Sequence, residues 1–188
     1  MELRAILNAL CHLPTESSAK LEKIATEMSW PKGKILIRAD NVEENLYLIK
    51  RGIVRAYAVS DSAETTFWFG SEGDIVISMK SYVDNQKGYE DIEPLEDCEL
   101  YALNVSELQD LYARDIHIAN WGRKFAESEL IKTEERLISR QFKSATQRYQ
   151  DLLGNHPDLI KRVQLGHIAS YLGITQVSLS RIRAQVIR

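Results

Sequence analysis

The spacing of apolar residues changes twice along the chain, and those changes limit its fold more than any other feature. From Trp30 to Leu103 the apolar positions fall in short runs with a period of two: Ile35-Leu36-Ile37, Leu46 to Ile49, Ile53 to Val59, Thr65 to Phe69, Ile75 to Ile77 and Leu100 to Leu103. Runs of this kind, rich in β-branched and aromatic residues, are strands. Lys32-Gly33, Arg51-Gly52 and Gly73-Asp74 separate them, and the glycines supply the positive φ that tight reversals need. Several short strands at this spacing make a barrel or sandwich. On either side the period is helical. Residues 3–28 carry one stripe through Leu3, Ile6, Leu7 and Leu10 and another through Leu21, Ile24, Ala25 and Met28. After Asn104-Val105-Ser106 a helical pattern runs without proline to about Gln141. The expected class is α+β: a β-barrel or sandwich with N-terminal helices over 1–115, a connector helix over 116–143 and a small helical domain over 144–188.

The chain has 188 residues, 44% hydrophobic and 27% charged, an ordinary soluble composition. No segment approaches the roughly 18 consecutive apolar residues of a membrane span. Met1-Glu2-Leu3-Arg4 is not followed by a signal-peptide core, so a cytoplasmic location without membrane attachment is expected. Cys11 and Cys98 lie far apart with no CxxC or CxxH companion, which predicts reduced thiols and neither a metal nor a cofactor. No Walker loop, GxGxxG, nucleophile elbow or HExxH occurs, so no enzyme is expected. The net charge of −3 is unevenly spread: from Arg140 onward there are eight Lys or Arg against Asp151 and Asp158. A polyanion would therefore sit at the basic C-terminal end, provided a recognition motif accompanies the charge.

On the long helix, Trp121 and Phe125 share a face, and Leu130 with Leu137 and Ile131 with Ile138 are each one heptad apart. That pattern fits a dimer seam, and it also fits a helix packed on its own β-domain. Ser144 is placed to cap a helix over Ala145 to Leu153, and His156-Pro157-Asp158 opens a short amphipathic segment to Val163.

Residues 164–186 carry the functional signal. Leu165 to Leu172 form one helix, Gly173-Ile174-Thr175 a tight turn, and Gln176 to Val186 a second helix. Ala169 is small where the helices cross, Gly173 permits a left-handed turn, and Ile168, Leu172, Ile174, Leu179 and Ile182 fill the space between them. With Thr175 as cap, Gln176, Val177, Ser178 and Arg181 face outward near the helix start, the part of a helix-turn-helix that enters the major groove. Arginine reads guanine and glutamine reads adenine in bidentate geometry. Thr175, Ser180, Arg183, Arg162, Lys161 and Arg148 are candidates for the DNA backbone. A helix-turn-helix used for protein contacts, on a ligand-binding or scaffold protein, is the alternative reading.

This order of parts, with Ile168 to Thr175 and Leu179-Ser180-Arg181-Ile182-Arg183, resembles the Crp/Fnr family of transcription regulators. The resemblance covers nearly the whole chain. It implies an N-terminal β-roll, a cyclic-nucleotide-binding-type jelly roll, with a homodimer through the long helix and a palindromic double-stranded DNA operator, and RNA polymerase and an unidentified small-molecule effector as candidate partners. The family's recognition arginine matches Arg181, and the residues before it match Gln176 and Val177. Three departures follow. Cyclic-nucleotide-binding members carry Gly-Glu and then Arg-Ser/Thr-Ala; here Ile77-Ser78 stands after Gly73-Asp74-Ile75-Val76, Gly88-Tyr89-Glu90-Asp91 surrounds the expected arginine, and no arginine occurs between Arg55 and Arg114. A cyclic phosphate beside Glu90 and Asp91 without a guanidinium is repelled, so no tight cAMP or cGMP binding is expected. Ser78, Tyr82, Tyr89, Glu90 and Thr133 are the residues assigned to an effector pocket, with ordinary packing as the alternative for the tyrosines. Second, Val177 stands where the family often has an acid that accepts from cytosine N4, and it suits a thymine methyl instead. Third, the chain stops five residues after Arg183, short of the β-hairpin wing of larger members, which implies fewer phosphate contacts or a truncated chain. His12, His117, His156 and His167 all lie outside the β-domain, which gives no support to haem sensing or a cupin-type metal site.

Overall fold

The computed structural model of the protein describes residues 1–60 and 63–186. Two helices, α1 (Leu3–Leu10) and α2 (Thr15–Ile24), precede the first strand, β1 (Ala25–Trp30). The helical pattern expected through Met28 thus ends at Ala25. The reason is tertiary: β1 pairs antiparallel with β7 (Cys98–Asn104) from Ala25↔Leu103 to Trp30↔Cys98, and the ladder outweighs a local spacing of four. Between them run β2 (Asn45–Arg51), β3 (Val54–Ser60), β4 (Ala63–Gly70), β5 (Ile75–Val76), helix α3 (Met79–Asp84) and β6 (Asp91–Pro94). One sheet has the order β1-β7-β2-β5 and the other β4-β3-β6. Gly33, Gly52 and Gly73 all take positive φ at the expected reversals.

Ile35-Leu36-Ile37 does not form the predicted strand; only the bridge Ile37↔Ile92 closes there. The N–H groups of Leu36 and Ile37 both donate to the Ile92 carbonyl, at 2.7 and 3.2 Å, so the chain turns past β6 instead of running along it. A single core then joins the helices to the first sheet: Ile6, Leu7, Leu21, Leu48, Leu103 and Trp121 are all essentially inaccessible. Trp121 Nε1 donates to the Leu7 carbonyl at 3.0 Å, which satisfies the indole where water is excluded.

The helical pattern after Asn104 is two helices, α4 (Val105–Arg114) and α5 (Ile116–Phe142), parted at Asp115. Asp115 has extended backbone (φ −138°, ψ 107°), and its carboxylate caps α5 by accepting from the N–H groups of His117 and Ile118 at 3.0 and 3.3 Å. It also accepts from Ser17 at 2.9 Å and from the Lys20 ammonium at 3.0 Å, tying α2 to the start of α5. Burial works to raise this carboxyl, but the hydrogen bonds from Lys20, Ser17, Ile118 and His117 outweigh it and hold it at about 2, against 3.8. Because the folded value lies below the unfolded one, the stabilisation is complete above about pH 4 and is lost as the pH falls toward 2. Replacing Asp115 by alanine should cost about 2–4 kcal/mol in urea unfolding, as a lost cap and orphaned donors require, and the deficit should shrink below pH 4.

The chain divides into two compact units, 1–56 with 69–129, and 57–68 with 130–188. The second contains the C-terminal half of α5, then α6 (Ala145–Asn155), α7 (Pro157–Arg162), α8 (Leu165–Leu172) and α9 (Gln176–Val186). Ser144 caps α6 in a full capping box with Gln147, and Pro157 occupies the start of α7. Among the described residues no helix is long and apolar enough to cross a membrane.

Candidate nucleic-acid interface

The turn between α8 and α9 follows from three residues. Gly173 adopts the left-handed conformation (φ 66°, ψ 35°), its N–H donates to Ser170 O and that of Ile174 to Ala169 O, both at 3.0 Å. This double closure satisfies the end of α8 and reverses the chain. Thr175 then starts α9: its hydroxyl accepts from Ser178 N–H at 3.2 Å. Ile168, Ala169, Leu172 and Leu179 are buried between the helices, while Ile174 and Ile182 are half-buried at the rim. A guanidinium completes the hinge: Arg148 donates to Leu172 O at 2.9 Å and to Lys143 O at 2.5 Å.

With about 100° per residue and Leu179 facing inward, the outward face of α9 is centred on Val177, Ser180, Arg181 and Ala184, all exposed. Val177 is 61% exposed, an apolar side chain held in water at the helix start. Gln176 is exposed at the edge of this face; its amide oxygen lies within 3.8 Å of where a Cβ on Gly166 would be. Ser178 is drawn aside, its hydroxyl 3.0 Å from that of Thr175, so these two groups serve the cap. Lys161 is exposed and pairs with Asp158 at 3.2 Å, and Arg162 is exposed beside it. Two predicted backbone contacts turn inward. Arg148 spends its guanidinium on main-chain carbonyls, and Arg183, half-buried, has a buried Nε without a partner among the described residues. Arg188 lies outside the described residues.

The residues assigned to an effector pocket do not act as one group. Ser78 and Glu90 are buried, and a Cβ on Gly88 would meet Ser78 Oγ at 2.6 Å and Glu90 Oε1 at 3.3 Å, so the three converge. Glu90 Oε2 accepts from Tyr89 N–H at 3.1 Å, which sets a carboxylate in this corner of the roll. Tyr82 instead bonds Tyr112 through the two hydroxyls at 3.1 Å, and Tyr89 is 59% exposed with the Lys80 ammonium 5.9 Å above its ring. The two tyrosines thus have different surroundings, Tyr82 tied to a neighbouring ring and Tyr89 in solvent. Thr133 belongs to the second unit, exposed on α5 and accepting from Arg136 at 3.0 Å. Arg55, the one arginine of the β3 strand, is buried against Glu93 at 2.6 Å. Among the described residues no cluster of His, Cys, Asp and Glu is placed to hold a metal.

Sequence reasoning missed Ser170. Its hydroxyl accepts from Thr66 N–H at 2.9 Å and donates to Glu64 O at 3.1 Å, across more than a hundred residues.

Residues 27–115 match the cyclic nucleotide-binding domain family. No curated protein matches the chain. Among solved structures it is similar to FixK2 from Bradyrhizobium japonicum, at 22% identity and a TM-score of 0.74 over 87% of this chain and 84% of that one. It is also similar to the c-di-GMP responsive global regulator CLP of Xanthomonas campestris, at 16% identity and a TM-score of 0.73 over 92% and 91%. The catabolite activator protein of Thermus thermophilus aligns at 20% identity with a TM-score of 0.61 over 97% and 86%. A β-roll of the cyclic nucleotide-binding family over 27–115, followed by one long helix and a terminal helix-turn-helix, gives this chain the architecture of the Crp/Fnr transcription regulators.

Proposed function

We propose that the protein is a homodimeric transcription regulator that inserts α9 into the major groove of a palindromic DNA site. The observation that carries this reading is the exposed face of Val177 and Arg181, with Gln176 at its edge, held at the start of α9 by the Thr175 cap and the Gly173 turn. A face that offers a guanidinium, an amide and a methyl-sized apolar group has the means to read guanine, adenine and thymine edges. Lys161 and Arg162 supply phosphate contacts, and Arg148 and Arg183 are assigned to the hinge and the interior. Dimerisation uses α5, where Leu130, Ile131, Leu137, Ile138 and Phe142 are all exposed in the single chain. Five large apolar side chains in water on one helix support burial against a second copy. Fluorescence anisotropy against a selected pool of duplexes tests the reading: enrichment of a two-fold symmetric sequence with half-sites about one helical turn apart, roughly 34 Å, is expected. A pool that yields no preferred sequence favours the protein-contact alternative.

Val177 sets one base preference. Val177→Glu should move the preferred pair at its contact from T·A to C·G, with about 5- to 150-fold discrimination. In the roll, buried Glu90 sets a carboxylate beside Gly88 and Arg55 is paired with Glu93, and this supports weak cAMP and cGMP binding. Isothermal titration is expected to give no heat at micromolar cAMP, and a tight isotherm overturns that expectation.

A further inference from the structure

The strand β4 lies at the edge of its sheet, in the order β4-β3-β6. Residues 64 and 66 have the same parity, so the carbonyl of Glu64 and the N–H of Thr66 point to the same side of that strand. One hydroxyl of α8 engages both: Ser170 Oγ accepts from Thr66 N–H at 2.9 Å and donates to Glu64 O at 3.1 Å. Thr66 is fully buried. Residues 57–68, the described arms of this hairpin, form one compact unit with residues 130–188, while β3 and β4 run on covalently into the other unit at 56 and 69.

α8 is braced on a second front within the same unit. Tyr171 sits beside Arg136 and Arg140 of α5; burial raises its phenol, with the two guanidinium groups opposing. Arg140 Nη2 lies 3.7 Å from where a Cβ on Gly173 would be. The first helix of the helix-turn-helix is thus held by α5 and by the hairpin, and in this braced state Val177 and Arg181 face solvent.

We propose that Ser170 is a positioning residue for DNA binding: by closing on the edge of β4 it fixes the orientation of the helix-turn-helix while the recognition face stays presented. This rests on the DNA-binding reading above. A hydroxyl that answers one donor and one acceptor of a strand edge is directional, as an apolar contact is not, and it defines an angle as well as a distance. A dimer reading two half-sites needs that angle fixed on both protomers, because the free energy of ordering is otherwise paid at each binding event.

The test has two arms on the full chain. Amide exchange of Thr66 should rise about tenfold in Ser170→Ala and stay near wild type in Ser170→Thr, which keeps the hydroxyl. In parallel, affinity is measured for duplexes whose half-sites are separated in single base-pair steps. Wild type should prefer one separation steeply. Ser170→Ala should lose about tenfold at that separation and little elsewhere, flattening the profile, with Thr restoring it. Cooperative urea unfolding confirms that the variant is folded; uniform loss at every separation means a damaged domain and overturns the positioning role. An Ala variant matching wild type in both arms overturns it as well. If wild type binds no duplex, the DNA reading fails, and faster Thr66 exchange in Ser170→Ala then leaves only a structural clasp, so the two failures are told apart.

Discussion

Arg181→Ala is expected to reduce binding to the preferred duplex by about 30-fold or more, while affinity for random DNA stays within about threefold. Arg181 is exposed at the middle of α9, on the side opposite the buried Leu179. An arginine reading one guanine contributes about 1–3 kcal/mol of discrimination, and a dimer on a symmetric site loses it twice. The dependence on salt should be nearly unchanged, since a base contact releases few counterions. Lys161→Ala or Arg162→Ala should do the reverse, weakening all sequences alike and lowering the salt slope by about one. Equal affinities for Arg181→Ala and wild type on the enriched duplex would move the weight to the protein-contact reading.

The double change Leu130→Glu, Leu137→Glu is expected to convert the protein to a monomer at tens of micromolar in analytical ultracentrifugation. Both leucines are more than half exposed in the single chain, at 70% and 57%, so neither is needed by its own core and circular dichroism should be unaltered. In a two-helix seam each leucine contributes about 1.5–3 kcal/mol on full burial, and a carboxylate in its place faces its own copy across the axis. With half-sites engaged singly, affinity for the palindrome should fall by about a hundredfold or more. A dimer that survives the double change places the interface elsewhere.

The helix-turn-helix was legible in the sequence because its determinants are local. Ala169, Gly173 and Thr175 act within one or two turns of their own positions, and the structure gives each the geometry its chemistry demands. The strands from Leu46 to Val59 and from Leu100 to Leu103 were legible as short β-branched and aromatic runs bounded by turn residues. What sequence could not give depends on distant partners. Ala25 to Met28 has a helical spacing, and only β7, seventy residues on, makes it a strand. Asp115 carries no breaker signal, yet Ser17 and Lys20 give its carboxylate partners that an uninterrupted helix would forgo. Arg148 and Arg183 look like phosphate ligands by composition; that one donates to the Leu172 carbonyl and the other is half-buried depends on residues elsewhere in the chain. Ser170 had no signal, since a serine on a helix is unremarkable until a strand edge lies beside it.

The inward turn of Arg148 has a consequence for how the C-terminal tail meets a polyanion in salt. Its guanidinium is fastened to the Leu172 and Lys143 carbonyls and Arg183 is half-buried, and so the cationic tail offers a polyanion less than its composition advertises. On the DNA-binding reading proposed above, the protein should linger little on arbitrary duplex and lose little hold on its preferred site as ionic strength climbs, trading rapid scanning for fidelity.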